Sequence, residues 1–458
     1  MEPSVTSERE PHQPTSETAD RDLRFVHMDT TRLPSSMAAL ASTFTRWFGP
    51  EYDLDAIYAT LAAAAAVKLG GDPPWLLLVS GPGNAKTETV SALEGAGAHV
   101  VSTIASEGAL LSATSKGERT NEATGGLLRT IGDVGVLVLK DFTSILSLSQ
   151  SVRPGVLAAL REIYDGRWTR TVGVDGGRTL EWTGRIGVIG AVTTEWDRKH
   201  DSVSSMGDRF VLLRLDSTVG RLSSGRQAIA NTGYENQMRA ELAAAAKAAL
   251  DQSSPVGEGL RDYESERLLL AANLVTLGRT AVVTDIRGEV IDSHLPEVPT
   301  RFAKQLTQIA RGGMAIGLDR ERAIMLAIRC ARDSMPPIRL AVLRDLTRNG
   351  TSSVSDVRHR LDKPHNTIDR ALKSLHMLEM VTLREERGRM SYSLASDIDP
   401  TVLFPEKELP PQPHIEGMQG CTSFPGNRDS GRGALQSEVE LIQKGRLVAQ
   451  GGKHNPKP

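Results

Sequence analysis

The segment Ser80–Thr89, SGPGNAKTET, has the residue types and spacing of a phosphate-binding loop. It follows WLLLVS (Trp75–Ser80), an apolar run suited to a buried parallel strand, and precedes a helix expected to begin near Lys86. At such a strand-to-helix turn, successive backbone N–H groups present fixed positive partial charge to phosphate oxygens. Gly81, Pro82, Gly83, Asn84 and Ala85 would form the cradle, with Glu88 in the following turn as its last member. Lys86 would neutralise the β and γ phosphates of ATP, and the Thr87 hydroxyl would ligand Mg²⁺. Two positions depart from the pattern: Ser80 replaces its first glycine and Ala85 the glycine before the lysine. Ala85 is inexpensive there only if its φ is negative. The alternative is a glycine-rich turn with an incidental Lys-Thr pair.

A second apolar run, GVLVLKDF (Gly135–Phe142), ends in an acid, as a strand completing a nucleotide site must. The phosphate loop, LKDFTSIL, LREIYDG, IGAVTT and MGDRF follow one another over about residues 72–215, with a hairpin before IGAVTT. In this order they resemble the minichromosome-maintenance branch of AAA+ helicases and, more closely, helicase-like ATPases of phages and mobile elements. The resemblance implies that Lys140 stands where the family has its Mg²⁺-associated aspartate and Asp141 where it has the water-activating glutamate. Shifted by one residue, Asp141 would instead assist Mg²⁺ and leave water to Glu162, Asp165 or Glu107. It further implies a γ-phosphate sensor at Thr193 or Thr194, an arginine finger at Arg209, and a second sensor at Arg301. A finger stabilises charge developing on a neighbouring subunit's phosphates, so a homo-oligomer, a ring by resemblance, is expected. Each residue also has a plainer reading: a strand-end cap for Asp141, a surface hydroxyl for Thr193, an ion pair for Arg209 and a solvated helix arginine for Arg301.

DNA is the partner that the remaining motifs suggest. WTRTVGVDGGRTLEW (Trp168–Trp182) reads as a β-hairpin turning at Asp175-Gly176-Gly177. By resemblance it occupies the place of a DNA-tracking hairpin. Its tip lacks the lysine expected there, but Arg170 and Arg178 lie close by. Further on, SVSDVRHRLDKPHNTIDRALKSLHMLEMV (Ser353–Val381) has a helix-turn-helix pattern, followed by strands VTLRE and MSYSL as a wing. This resembles a winged-helix domain. His365, Asn366, Thr367, Arg370 and Lys373 would lie on or near the exposed face of its recognition helix, where they can reach base edges or phosphates. Winged helices also bind proteins, and Asp356, Asp362 and Asp369 reduce the local positive field.

The elements that must position these residues follow from periodicity and composition. Strands are expected at His99–Ile104, Val134–Leu139 and Arg185–Val192, alternating with helices, which predicts a mainly parallel sheet. Residues 51–69 read as a helix ending at Gly70-Gly71, and 220–335 as mostly helical. The expected order is a disordered arm (1–30), an ATPase core (31–219), a helical lid (220–335), a winged helix (336–396) and a disordered tail (397–458). The fold class expected is therefore an α/β P-loop NTPase core of the AAA+ type with a helical lid and a C-terminal winged-helix domain. A formal net charge of -2 means that any nucleic-acid contact must come from a local patch. Cys330 and Cys421 form no metal-ligand spacing, and no apolar run is long enough for a membrane span, so a cytoplasmic protein is expected.

These readings converge on an ATP-hydrolysing DNA motor, a helicase or replication initiator. A nucleotide-switched transcriptional regulator with weak or absent turnover is the alternative, and a nucleotide-binding scaffold that recruits proteins is a third.

Overall fold

The computed structural model describes residues 33–113, 125–173, 177–204, 209–254, 259–386 and 388–404. The expected disordered arm and the tip of the first hairpin lie outside these residues.

Five apolar runs fold as strands of one parallel sheet: β1 (Trp75–Val79), β2 (His99–Val101), β3 (Val134–Leu139), β6 (Arg185–Val192) and β7 (Phe210–Arg214). Their order is β2-β3-β6-β1-β7. β1 is buried along its whole length, as a central strand covered on both faces must be. The outer edge of β7 is closed by side chains: the Leu212 N–H donates to Ser334 Oγ at 2.9 Å and the Arg214 N–H to Asp333 Oδ2 at 2.9 Å. Between β3 and β6 run α6 (Phe142–Leu146), α7 (Arg153–Tyr164) and an antiparallel hairpin of β4 (Arg167–Val172) and β5 (Arg178–Thr183). That hairpin is anchored by the buried pair Trp168 and Trp182, opposite one another across its strands.

Helices cover the sheet. α1 (Ser35–Phe48) and α2 (Leu54–Ala66) precede β1, and α3 (Lys86–Ser91) follows the phosphate loop. The Asp53 carboxylate caps α2 at the Asp55 N–H. Rich in alanine and apolar around its circumference, α2 is buried on every side. Helix α12 (Thr300–Ala315) crosses it so closely that a Cβ on Gly312 would lie 2.0 Å from the Ala62 carbonyl oxygen. Only glycine permits that approach. α4 (Glu107–Leu110), α5 (Leu127–Ile131) and α8 (Glu195–Ser204) complete the sheet region.

The region beyond β7 is mostly helical, as its composition predicts: α9 (Arg221–Ala230), α10 (Glu235–Asp251), α11 (Asp262–Gly278), α12 and α13 (Arg320–Asp333). It also contains a second hairpin that periodicity does not reveal, β8 (Val282–Thr284) with β9 (Val290–Ser293). Three further helices, α14 (Pro337–Asn349), α15 (Val354–Leu361) and α16 (His365–Met377), precede the antiparallel pair β10 (Val381–Glu386) and β11 (Arg389–Leu394). Ser353 and Asp356 cap α15 reciprocally, and Arg360 ties it to Asp345 of α14 with bonds of 2.8 and 2.6 Å. Ile368, Leu372 and Leu375 of α16 are buried, as the apolar face in the sequence requires.

The expected start of a disordered tail at 397 is too early. Asp399 caps a short 3₁₀ turn at Pro400–Leu403, and Leu403 and Phe404 are buried in the core shared with the helices that follow β7. Among the described residues no helix is long and apolar enough to cross a membrane.

Candidate nucleotide site and nucleic-acid interface

Because β1, β3 and β6 are parallel neighbours, their C-terminal ends open at one edge of the sheet, where open α/β sheets bind ligands. The phosphate loop leaves β1 at that edge, fixed to the next strand by the Ser80 N–H bonding to the Val192 carbonyl at 3.3 Å. Pro82 and Gly83 are exposed, and open space surrounds the position of a Cβ on Gly83, leaving room for phosphate above the backbone. Gly81 lies against the Ser217 hydroxyl, which a Cβ would approach to 3.2 Å. Ser217, in the loop after β7, is a neighbour that the local motif does not indicate.

Lys86 opens α3 with its side chain folded beneath the loop, Nζ donating to the Gly81 carbonyl at 3.0 Å. Burial pulls the ammonium below its ordinary pKa, opposed by the negative charge of Asp141. Lys86 and Asp141 thus share one site although 55 residues separate them in the chain. Thr87 is exposed beside the lysine, whereas Glu88 is drawn to Arg239, with its carboxylate 2.8 Å from the guanidinium. The next turn is anchored by Thr89, whose hydroxyl bonds the Ala85 carbonyl at 2.9 Å and the Tyr52 hydroxyl at 2.8 Å.

Ala85 adopts φ 52° and ψ 1°, in the left-handed region. The condition under which it would be inexpensive is therefore not met. The loop's bend requires the conformation that the glycine of the usual pattern supplies freely, and an L side chain there costs roughly 1–2 kcal/mol.

At the end of β3, Asp141 is exposed and caps α6, accepting the Thr143 N–H at 3.0 Å. One oxygen makes the cap, and a carboxylate has acceptor capacity beyond it, so the cap and functional readings are compatible. Thr143 then reaches across to β6: its hydroxyl accepts the Thr193 N–H at 3.0 Å and lies 3.2 Å from the Thr193 hydroxyl. Asp141 and Thr193 are thereby linked through Thr143, whose backbone N–H serves the first and whose hydroxyl serves the second. The signal in the sequence was a hydroxyl residue two positions after the strand-end acid. Thr194 is exposed at the same edge.

Arg209 is elsewhere. It immediately precedes β7, whose first residue pairs with the first residue of β1, and so stands at the opposite edge of the sheet. Five residues of strand separate the two edges, about 16 Å at ~3.3 Å per residue. Its side chain is 11 % exposed, 3.2 Å from the Asp165 carboxylate and stacked 5.6 Å above the Tyr164 ring. Arg209 is pulled below its ordinary pKa by burial, against Asp165, and Arg301 and Arg161 add positive charge around it. Arg301 is also held by Glu297 at 3.0 Å. Arg209, Arg301 and Asp165 therefore form one group remote from Lys86 of the same chain. Of the alternative acids, Asp165 is ruled out for this chain's own loop by that distance. Glu107 is paired with Arg170 at 2.8 Å, and Glu162 is exposed on α7.

The candidate DNA contacts divide in the same way. Arg170 ties the first hairpin to α4 through Glu107 and the Leu111 carbonyl, which makes it a structural arginine in this conformation. Arg178 is exposed at the start of β5. His365, Asn366 and Thr367 are exposed in the first turn of α16. Arg370 donates to the Arg287 carbonyl at 3.0 Å, and Lys373 pairs with Glu289 at 2.7 Å and Asp369 at 2.8 Å.

No protein-family model matches the sequence, and no curated protein matches it. Among solved structures, the apo A form of the NrS-1 C-terminal region is similar to this chain with a TM-score of 0.22 and 11 % identity, over 84 % of this chain and 79 % of that one. A likeness of that size carries no argument about fold or function.

Among the described residues no group of three or more His, Cys, Asp or Glu side chains is placed to hold a metal. Mg²⁺ bound with a nucleotide needs only one or two protein groups beside phosphates and water, and Thr87 and Asp141 are the groups that would hold it here. Cys330 is buried, and burial pushes its thiol pKa far up, which fits a packing role.

Proposed function

We propose that this chain is an ATP- and Mg²⁺-binding ATPase of the AAA+ type that works on DNA through its C-terminal winged helix, as a helicase or replication initiator. The observation that carries the reading is the convergence of Lys86, Asp141 and Thr193 at one sheet edge, with Thr143 joining the last two. Lys86 would leave the Gly81 carbonyl to take the β and γ phosphates, and Thr87 would ligand Mg²⁺. Asp141 would orient or deprotonate the attacking water while Thr193 donates to the γ phosphate. ATP and Mg²⁺ supply the transferable phosphoryl group and the charge that screens it.

Arg209 and Arg301 support an oligomer, because arginines at the far edge can serve only the phosphates of another copy. The exposed first turn of α16 supports contact with nucleic acid. Three observations favour the second reading, a nucleotide-switched regulator with slow turnover. Lys140 occupies the place of an acid, Ala85 is strained, and the basic residues of α16 are engaged within the chain.

ATP hydrolysis with and without single-stranded DNA separates the two readings. The motor reading expects DNA-stimulated turnover that is lost in Lys86→Ala and in Arg209→Ala and partly restored when the two are mixed. Nucleotide binding without turnover in the wild type would refute the motor and favour the switch.

A further inference from the structure

The β8–β9 hairpin lies against the half of α16 that carries Arg370 and Lys373. Its turn is rigidly built: the Asp285 carboxylate accepts the N–H groups of Arg287 and Glu289, both at 2.8 Å, and the Gly288 N–H returns to the Asp285 carbonyl at 2.9 Å. Arg370 Nη2 donates to the Arg287 carbonyl in that turn. Gly288 packs so tightly there that a Cβ would lie 2.7 Å from the same guanidinium nitrogen. One residue on, the Glu289 carboxylate meets the Lys373 ammonium at 2.7 Å. The hairpin bears Asp285, Glu289 and Asp292 against Arg287 alone, so it presents net negative charge to a basic helix face.

An acidic turn offering a carbonyl oxygen to an arginine and a carboxylate to a lysine satisfies the two side chains in the way that successive backbone phosphates would. We propose that Val282–Ser293 is an intramolecular mask that competes with the nucleic-acid backbone for Arg370 and Lys373. The proposal rests on the reading of α16 as a DNA-binding helix. The mask is partial. His365, Asn366 and Thr367 remain exposed and can make a first encounter, after which backbone phosphates displace Glu289 and the Arg287 carbonyl. The contact is of the strength such a device needs, since a half-exposed ion pair is weak and is screened by salt.

The test is binding of a fluorescent short duplex to the full chain, followed by anisotropy over a range of salt concentrations. Glu289→Gln removes the hairpin's charge from Lys373 and adds none, while Asp369 of α16 itself stays 2.8 Å from the ammonium in every variant. It is expected to tighten binding about fivefold, the upper range for release of an exposed ion pair. It should also steepen the slope of log affinity against log salt by about one phosphate contact. Lys373→Ala in the Glu289→Gln background should abolish both gains. Asp292→Asn lowers the hairpin's charge equally at a carboxylate that caps the Ser293 N–H, and should leave binding unchanged. If Glu289→Gln matches the wild type while Lys373→Ala weakens both equally, the mask is refuted and α16 still binds DNA. If Asp292→Asn tightens binding as much as Glu289→Gln, the effect is the general field and the mask is likewise refuted. If no variant binds duplex in a manner that depends on Lys373, the DNA reading of α16 fails and the mask with it.

Discussion

Ala85 is the position at which the sequence departs from the usual phosphate loop and the backbone does not follow. Its φ of 52° places an alanine where the turn favours glycine. For an L residue the left-handed region costs roughly 1–2 kcal/mol through the approach of Cβ to the following carbonyl. Replacement by glycine removes that cost but adds chain entropy to the unfolded state, about 0.4–1 kcal/mol. Ala85→Gly should therefore stabilise the protein by about 0.5 kcal/mol, and the β-branched Ala85→Val should destabilise it by more than about 1 kcal/mol. Gly83, two residues earlier at φ 80° with no atom within 4 Å of where a Cβ would stand, provides the mirror-image control. Gly83→Ala introduces the same backbone cost without a clash, recovers the same unfolded-chain entropy, and should therefore lose about 0.5 kcal/mol net. Thermal and urea unfolding of the three variants, with and without ATP and Mg²⁺, measure these differences. A lower unfolding midpoint for Ala85→Gly together with an unchanged one for Ala85→Val would refute the reasoning, because it would mean that residue 85 is not left-handed in the native loop.

Two further outcomes follow from specific contacts. Thr143→Ala removes the hydroxyl that accepts the Thr193 N–H at 3.0 Å. It should cost about 1–2 kcal/mol of stability and lower ATP turnover more than nucleotide affinity, with Thr143→Ser restoring both, as steady-state kinetics and nucleotide titration would show. In the first turn of α11, Glu264 accepts from Arg320 Nε at 2.9 Å and from the Arg261 N–H at 2.8 Å. The Arg320 hydrogen bond, more than any other influence, holds its pKa at about 2, below the ordinary 4.5. A carboxylate with a depressed native pKa contributes its stabilisation above pH 4.5 and loses it as the pH falls from there toward 2. Glu264→Gln should flatten the acid limb of the stability profile in that window, and an unchanged limb would remove Glu264 from the account.

Three of the five parallel strands, β1, β3 and β6, were legible as apolar runs bounded by turn residues, whereas β2 ends at Val101 instead of Ile104 and β7 (Phe210–Arg214) was not read as a strand. Val134–Leu139 and Arg185–Val192 fold over the stretches that their composition marks. The local geometry of the candidate site was legible at Ser80–Thr87, since a strand, a glycine-rich turn and a helix opening at a lysine are adjacent in the chain. What lay hidden depended on distance. Thr143 matters because β3 and β6 are neighbours, and Ser217 because the loop after β7 comes beside Gly81. No periodicity encodes either contact. The conformation of Ala85 was also out of reach, because residue type sets the cost of a left-handed φ but not whether the loop demands it. The hairpin β8–β9 was missed for a different reason. Its strands are three and four residues long and include Asp292, so they lack the extended alternation that marks a strand.

The separation of the two basic groups constrains how any hydrolysis must be organised. Lys86 sits at the C-terminal edge of the sheet and Arg209 at the N-terminal edge, and β1 and β7 are hydrogen-bonded neighbours along the whole distance between them. Bending a paired, buried strand to close about 16 Å would break its ladder, so motion within one chain cannot bring the two together. The Arg209 guanidinium is meanwhile held, largely buried, between Asp165 and the Tyr164 ring, close to Arg301. An arginine held in this way has already lost much of its side-chain freedom, which lowers the entropic cost of presenting it to a phosphate on another copy. Its partner Asp165, 53 % exposed, is the group that such a phosphate would displace. If the proposed oligomer forms, the same geometry that excludes Arg209 from its own chain's loop would present it to a neighbour's.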